Sequence, residues 1–366
     1  LIAVGQSAAA FNLLQDIIFS RRHRSAPLAI LEPIMLKFVS LGVNLQKGKV
    51  IKEGLHTYRN IMLNISVNTI ETVIKKLISD ATTKVKEAQN IVDAINLDSV
   101  EDLEALETPE SLMLSTVSAE YKDRKDKEVV TPWLKFLWET YRIALDTLRN
   151  NTRLEILYQQ IGVEAFGFCL QYGRKTEFKR LSELLRQHLA SASKYSNQSF
   201  GINLNDLETL QRYLDMRFVQ LNAATQLELW QEAFRTTEDI QSLLSASNRP
   251  SKPFMMASYF ENLARTFMVG ENYLFHAAAW NKYYETVQKN KNLTHEEMEK
   301  IASLVLISAL AVPLGIEKSQ SDNPFLYQVD KGRDKRFINL LRAEKVPTRE
   351  QLVREAVFIF FNILAW

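Results

Sequence analysis

The stretch NTIETVIKKLISDATTKVKEAQNIVDAI, residues 68–95, decides the fold. Its apolar positions Ile70, Val73, Ile74, Leu77, Ile78, Ala81, Val85, Ala88, Val92 and Ile95 advance by three or four, which draws one stripe along a helix, not the alternation of a strand. Lys75, Lys76, Lys84 and Lys86 occupy much of the polar side. Asn68 with Glu71 three residues later has the form of a capping box and predicts the helix start. No glycine occurs from Leu55 to Ile161, so nothing flexible interrupts this helix.

Downstream, Thr131-Pro132-Trp133 predicts a second start, with Thr131 as cap and Pro132 at the first helical position, where its missing N–H costs nothing. Phe136, Leu137, Tyr141, Ala144, Leu145 and Leu148 continue that helix, and Asn150-Asn151 stops it. Leu154, Leu157, Ile161, Ala165, Phe168 and Cys169 mark the next one, and another runs from Thr176 to about Ala190. Small residues recur after tight turns: Ala9 and Ala10 after Gly5, Gly54 after Gly48, Ala233 after Trp230, Ala277 and Ala278 after Gly270. A small side chain there lets the second helix of a pair approach the first. With 11 glycines and 9 prolines in 366 residues, the turn chemistry of a β-sandwich or a multi-stranded α/β enzyme is missing. The expected fold is all-α, an irregular right-handed helical-repeat solenoid of tetratricopeptide-like pairs. The expected division is a helical-repeat segment over 1–92, an acidic then mixed-charge loop over 93–130, a helical-repeat array over 131–312, and a loop leading into a further helical region over 313–366. Within that frame, shorter loops are expected at 245–253 and 313–336.

Composition agrees with a globular chain, 46% hydrophobic and 24% charged. The 45 Lys and Arg against 43 Asp and Glu, a net charge of +2, exclude a uniformly basic nucleic-acid coat but leave local patches open. The single cysteine, Cys169, excludes an intrachain disulfide and a thiolate zinc site and suggests a reducing compartment. Its place on an apolar stripe reads as an inert buried thiol. The longest apolar stretch, Ile301 to Ile316, is broken by Pro313 and falls short of the roughly 18 residues that span a bilayer, so it reads as a buried core helix. Leu1 in place of a methionine, and an end at Trp366 just after the apolar run Val357 to Phe361, read as cuts in a longer chain.

Chemistry is sparse. His295-Glu296-Glu297 opens like a zincin helix, but Glu299 stands where the second histidine is required. His23, His56, His188 and His276 are scattered, and Lys47-Gly48-Lys49 lacks the earlier glycine and later hydroxyl of a phosphate loop. No enzyme, cofactor, metal or small-molecule substrate is expected, and a hydrolase would need a convergent nucleophile set that the sequence does not offer. The remaining feature is local positive charge. Arg21, Arg22 and Arg24 follow the first helix; Lys47, Lys49 and Lys52 cluster in the next turn; Arg174, Lys175, Lys179 and Arg180 line a helix start. In a stacked array such clusters predict a phosphate-binding edge with salt-sensitive, sequence-independent binding. A further basic group, Lys331, Arg333, Lys335 and Arg336, lies in the late loop. Asp93, Asp98, Glu101, Asp102 and Glu104 lie in a stretch to Glu110 without Lys or Arg, a candidate acidic protein-contact loop.

Several segments resemble a known family. Leu31-Glu32-Pro33-Ile34-Met35-Leu36-Lys37-Phe38, Leu45-Gln46-Lys47-Gly48 and Thr108-Pro109-Glu110-Ser111 are similar to the largest of the subunits of eukaryotic translation initiation factor three. The longest matching run is Thr131 to Arg142, continued by Leu148-Arg149-Asn150-Asn151, Phe168 to Tyr172 and Leu229 to Ala233. The resemblance extends to about Arg349. It implies a cytoplasmic, non-catalytic scaffold, the N-terminal arm of a PCI-type subunit, a module shared with proteasome-lid and signalosome subunits. Implied partners are other subunits of the factor, the c subunit mainly through regions beyond this chain, proteins of the small ribosomal subunit near the mRNA exit, and mRNA or rRNA. No membrane partner is implied. Arg21, Arg22, Arg24, Lys47 and Lys49 are then the first candidates for a ribosome-facing edge. Autonomous RNA binding, or a place in a proteasome-lid or signalosome-type complex, is the alternative.

Overall fold

The computed structural model describes residues 2–20, 28–63, 65–98, 129–149, 151–194, 201–203, 206–246, 252–288, 293–314 and 324–364. Among them are fourteen α-helices and no strand. In chain order these are α1 (Ser7–Phe19), α2 (Leu28–Asn44), α3 (Gly48–Met62), α4 (Val67–Asp98), α5 (Thr131–Leu148), α6 (Glu155–Gln171) and α7 (Lys175–Lys194). Then follow α8 (Leu207–Gln226), α9 (Trp230–Ala246), α10 (Pro253–Val269), α11 (Tyr273–Val287), α12 (His295–Leu310), α13 (Pro324–Leu341) and α14 (Arg349–Leu364). The chain divides into two compact units: Leu1–Ala165 with Asn197–Ile202, and Phe166–Ser196 with Asn203–Trp366.

One turn is used again and again. Gln46, Gly173, Glu228 and Glu271 take left-handed φ values of 53–60° at the ends of α2, α6, α8 and α10, and each is followed at once by the next helix. The residue after each donates its N–H back across the turn: Lys47 to Gly42 O at 3.0 Å, Arg174 to Cys169 O, Leu229 to Ala224 O and Asn272 to Phe267 O, each at 2.9 Å. This is the six-to-one closure that satisfies the last carbonyls of a helix, and its repetition makes the hairpins repeat. Arg342, with φ 52°, ends α13 in the same way.

In the first unit, α4 packs on α2, α3 and α5. Ile70, Val73, Ile74, Leu77, Ile78, Ala81, Val85 and Ala88 are all buried, as the stripe requires. The helix starts at Val67, one residue before Asn68, so the expected capping box does not form; Thr69 instead donates its hydroxyl to Ser66 O at 2.9 Å. Thr131 likewise is already helical, with Val130 in the cap position and Pro132 in the first turn. Capping boxes form instead at Thr294 with Glu297, which accounts for the acids after His295 that imitate a zincin helix, and at Thr348 with Gln351 before α14. The α2–α3 hairpin is held by close approach. Phe11 stacks on Phe38 at 4.8 Å, and a Cβ on Gly54 would lie 2.6 Å from the Phe38 ring. Gly54→Val is therefore expected to cost about 2–3 kcal/mol through overpacking against a fully buried ring, read as a lowered melting temperature with retained helicity.

In the second unit, α8 pairs with α9 and α10 with α11, and α13 packs across α9 and α11. Phe337 of α13 meets Phe275 at 4.9 Å, Phe267 at 5.0 Å and Phe234 at 5.9 Å, while the Tyr259 hydroxyl donates to Leu340 O at 3.0 Å. The loop expected up to Arg336 is thus helical from Pro324: Phe337, Leu340 and Leu341 form a short buried stripe that the surrounding charges conceal in the sequence. Helices α12 and α14 pack antiparallel, tied at both ends by His295 Nε2 to Ile363 O at 3.1 Å and Arg349 Nε to Val312 O at 2.9 Å. The apolar stretch from Ile301 is not simply a core helix. Ala302, Val305, Ala309 and Val312 are buried, but Ile307 is 65% and Leu314 82% exposed. No helix among the described residues is long and apolar enough to cross a membrane.

Candidate phosphate-binding edge

The turn between α2 and α3 sets the first group of cations. Gly48 packs so closely on α5 that an added Cβ would lie 2.7 Å from the Glu139 carboxylate, which sits against the positive end of α3. Lys47 lies over the Phe11 ring at 5.1 Å and is half-buried. Lys52 pairs with Asp146 of α5 at 3.5 Å. Lys49 is exposed and has no acidic partner among the described residues. The three lysines are therefore not equivalent: one packs on an aromatic ring, one is matched by a carboxylate, and one is open.

The structure adds cations that runs of charge do not reveal. Lys135 and Arg142 on α5 and Arg149 just past its end stand seven residues apart, all exposed; the first two share the face that carries Glu139 and Asp146. That face meets α3 through Glu139, Asp146 and the Arg59 guanidinium, which donates to Arg149 O at 3.0 Å. Burial, and the charge of Arg149, push Arg59 below the usual arginine range. Cations thus outnumber acids along the α3–α5 seam. The seven-residue spacing is the signal that could have found these residues.

The second group sits in the second unit at the start of α7. Arg174 is half-buried and Lys175, Lys179 and Arg180 are exposed around Glu177. Burial alone would raise the Glu177 carboxyl. The Thr176 hydroxyl at 2.7 Å, the backbone N–H of Glu177 and the guanidiniums of Arg174 and Arg180 more than offset this and hold it below the usual range. Arg21, Arg22 and Arg24 lie outside the described residues. So do Glu101, Asp102 and Glu104, whereas Asp93 and Asp98 belong to the last turns of α4, where the sequence predicts a loop.

Groups with catalytic potential are occupied structurally. Cys169 is fully buried, and desolvation followed by the charge of Glu177 pushes its thiol up to about 12, so no thiolate forms near neutrality. His276 Nδ1 bonds to Ala264 O at 2.8 Å, which makes it an inter-helix tie. Among the described residues no three His, Cys, Asp or Glu side chains converge as a metal site.

Hairpins built on one repeated turn, with cations on exposed helix faces and no convergent catalytic set among the described residues, define a tetratricopeptide-like helical-repeat protein. The chain belongs to the family described as eIF3a, PCI domain, TPR-like region, which matches residues 1–362 and so reaches past Arg349 through most of α14. It is 54% identical over 383 residues to the A subunit of eukaryotic translation initiation factor 3 from Aspergillus fumigatus (strain Af293), covering 98% of this chain and 36% of that relative. The corresponding proteins of Emericella nidulans and Aspergillus clavatus are 53% identical over 382 residues and 52% over 381, each covering 98% of this chain and 37% and 36% of the relative. The chain spans a little over a third of the length of these relatives.

Proposed function

We propose that this chain is a non-catalytic scaffold segment of eukaryotic translation initiation factor three. In this reading it acts in the cytoplasm, helps the factor bind the small ribosomal subunit near the mRNA exit, and supports pre-initiation complex assembly and mRNA recruitment. Other subunits of the factor, the c subunit among them, are its partners. Family membership over nearly the whole chain is the observation that carries this reading. The exposed cations Lys49, Lys135 and Arg142 in the first unit, and Lys175, Lys179 and Arg180 in the second, suit contact with ribosomal RNA phosphates. Phosphate contacts release counterions, so each one steepens the salt dependence of binding.

The test is cosedimentation of this chain with small ribosomal subunits across a salt series, with and without the other factor subunits. Lys49→Glu, Arg142→Glu, Lys175→Glu and Lys179→Glu together are expected to weaken binding by at least about tenfold and to flatten the slope of log K against log salt by up to about 3. Unchanged affinity and slope would remove the edge from the interface. Retention of single-stranded RNA by the chain alone at physiological salt would favour autonomous RNA binding instead.

A further inference from the structure

Within the first unit, α4 and α6 line an open surface groove of about 300 Å³. Its α4 wall is Lys75, Ser79, Thr82, Thr83 and Lys86, spaced by one, three and four residues along one helix face. Gln160 and Glu164 of α6 face them. The floor, made by Ile78, Leu157 and Ile161, is apolar and nearly closed. From Lys75 to Lys86 the groove runs eleven residues of helix, about 16 Å. That length matches about five residues of extended peptide.

The groups in it are unequally engaged. Thr83 donates to Ser79 O at 2.8 Å, and Lys75 is held by Glu71 at 2.6 Å. The hydroxyls of Ser79 and Thr82, the amide of Gln160 and the ammonium of Lys86 have no protein partner among the described residues. At the Lys75 end stands Glu164, whose carboxyl is raised by burial against the opposing pull of Lys75. The groove therefore has two ends: a balanced one at Lys75 and Glu164, and an open positive one at Lys86.

We propose that this groove docks a short extended segment of a partner protein, with an acidic side chain at the Lys86 end. Ser79, Thr82 and Gln160 both donate and accept, which is what alternating backbone N–H and C=O groups require. Lys86 gives the charge-assisted contact that sets the direction of the segment. Single-stranded RNA fits less well. No aromatic side chain lines the groove to stack a base, Glu164 repels phosphate, and Lys75 is already matched.

The probe is a fluorescein-labelled peptide of about ten residues, with Asp and Glu in one half and Ser, Gly and Leu in the other. Its Lys-for-acid counterpart and a labelled oligouridine of similar length serve as comparisons. The acidic peptide is expected to shift the δ1-methyl resonances of Ile78 and Ile161 while leaving Ile240 of α9 in place. By anisotropy, Lys86→Glu should weaken it about tenfold or more, and Lys86→Arg should keep it within about twofold. Lys49→Glu, on the proposed ribosome-facing seam, should leave it unchanged, so the two readings fail separately. Lys86 is exposed, and an unaltered thermal melt shows that its variants are folded. No acidic-peptide binding, or binding indifferent to Lys86→Glu, overturns the proposal. So does oligouridine binding that Lys86→Glu abolishes while the peptide stays silent, which assigns the groove to nucleic acid.

Discussion

Replacing Arg186 with methionine is expected to destabilise the second unit by about 3–5 kcal/mol, because it leaves the buried Glu232 carboxylate without its counter-charge. Arg186 of α7 donates to Glu232, and through Nε to Asp239 at 2.8 Å, seven residues apart on α9. Glu232 is buried, and Asp239 also lies 3.8 Å from Arg217, the largest fully buried side chain among the described residues. Arg217 donates to Gln220 at 2.6 Å, and Gln220 to Thr236 at 3.1 Å, so α7, α8 and α9 share one polar network. A slip of one turn between α7 and α9 would strand a carboxylate, so the network fixes their register. Hydrogen exchange in α7 and α9 should accelerate about a hundredfold or more in the variant. Arg186→Met with Glu232→Gln should recover much of the loss, since Asp239 keeps Arg217 while Glu232 no longer carries charge. Simple additivity of the two substitutions would show that the pair is not coupled.

None of that network is visible in the sequence. Arg186 lies 46 and 53 residues from its two partners, and nothing in the local pattern of any of the three helices announces the others. What is legible is the long stripe, because burial of one face imposes a period that the residues of α4 must carry themselves. Three of the hairpin turns are legible from the small residues that follow Gly48, Trp230 and Gly270, but among these turns the left-handed position itself carries a glycine only at Gly173. At Gln46, Glu228, Glu271 and Arg342 the left-handed position is filled by a residue with no special claim to it, at a cost of about 1–2 kcal/mol that tertiary packing overrides. The basic edge is only partly readable, for a related reason. Contiguous clusters such as Lys47, Lys49 and Lys52 attract notice, yet packing on Phe11 and pairing with Asp146 take up two of the three. The dispersed set on α5 and at its C-cap, spaced by seven, stays exposed. Position along a helix face, not density along the chain, decides which cations remain open.

The same distinction governs α13, where a charged surface hides the residues that hold the helix in place. Phe337→Ala is expected to cost about 3–5 kcal/mol, because it removes a buried ring in contact with Phe234, Phe267 and Phe275 and leaves a cavity that four helices would have to close. Among the described side chains the rest of the attachment is Leu340 and Leu341, the Tyr259 hydroxyl on Leu340 O, and Arg336 on Glu238 and over the Phe234 ring at 5.6 Å. The last of these is exposed and contributes at most about 1 kcal/mol. Losing the ring should therefore release α13 before α8 to α11 unfold, so the variant's amides from Phe337 to Leu341 should exchange fast while those of α10 stay protected. Arg336→Ala should leave both unchanged. Phe337→Leu, which keeps part of the apolar volume, should fall between wild type and alanine. If α13 keeps its protection in Phe337→Ala, the aromatic cluster is not what anchors it, and the exposed ion pair must carry more than its solvation allows.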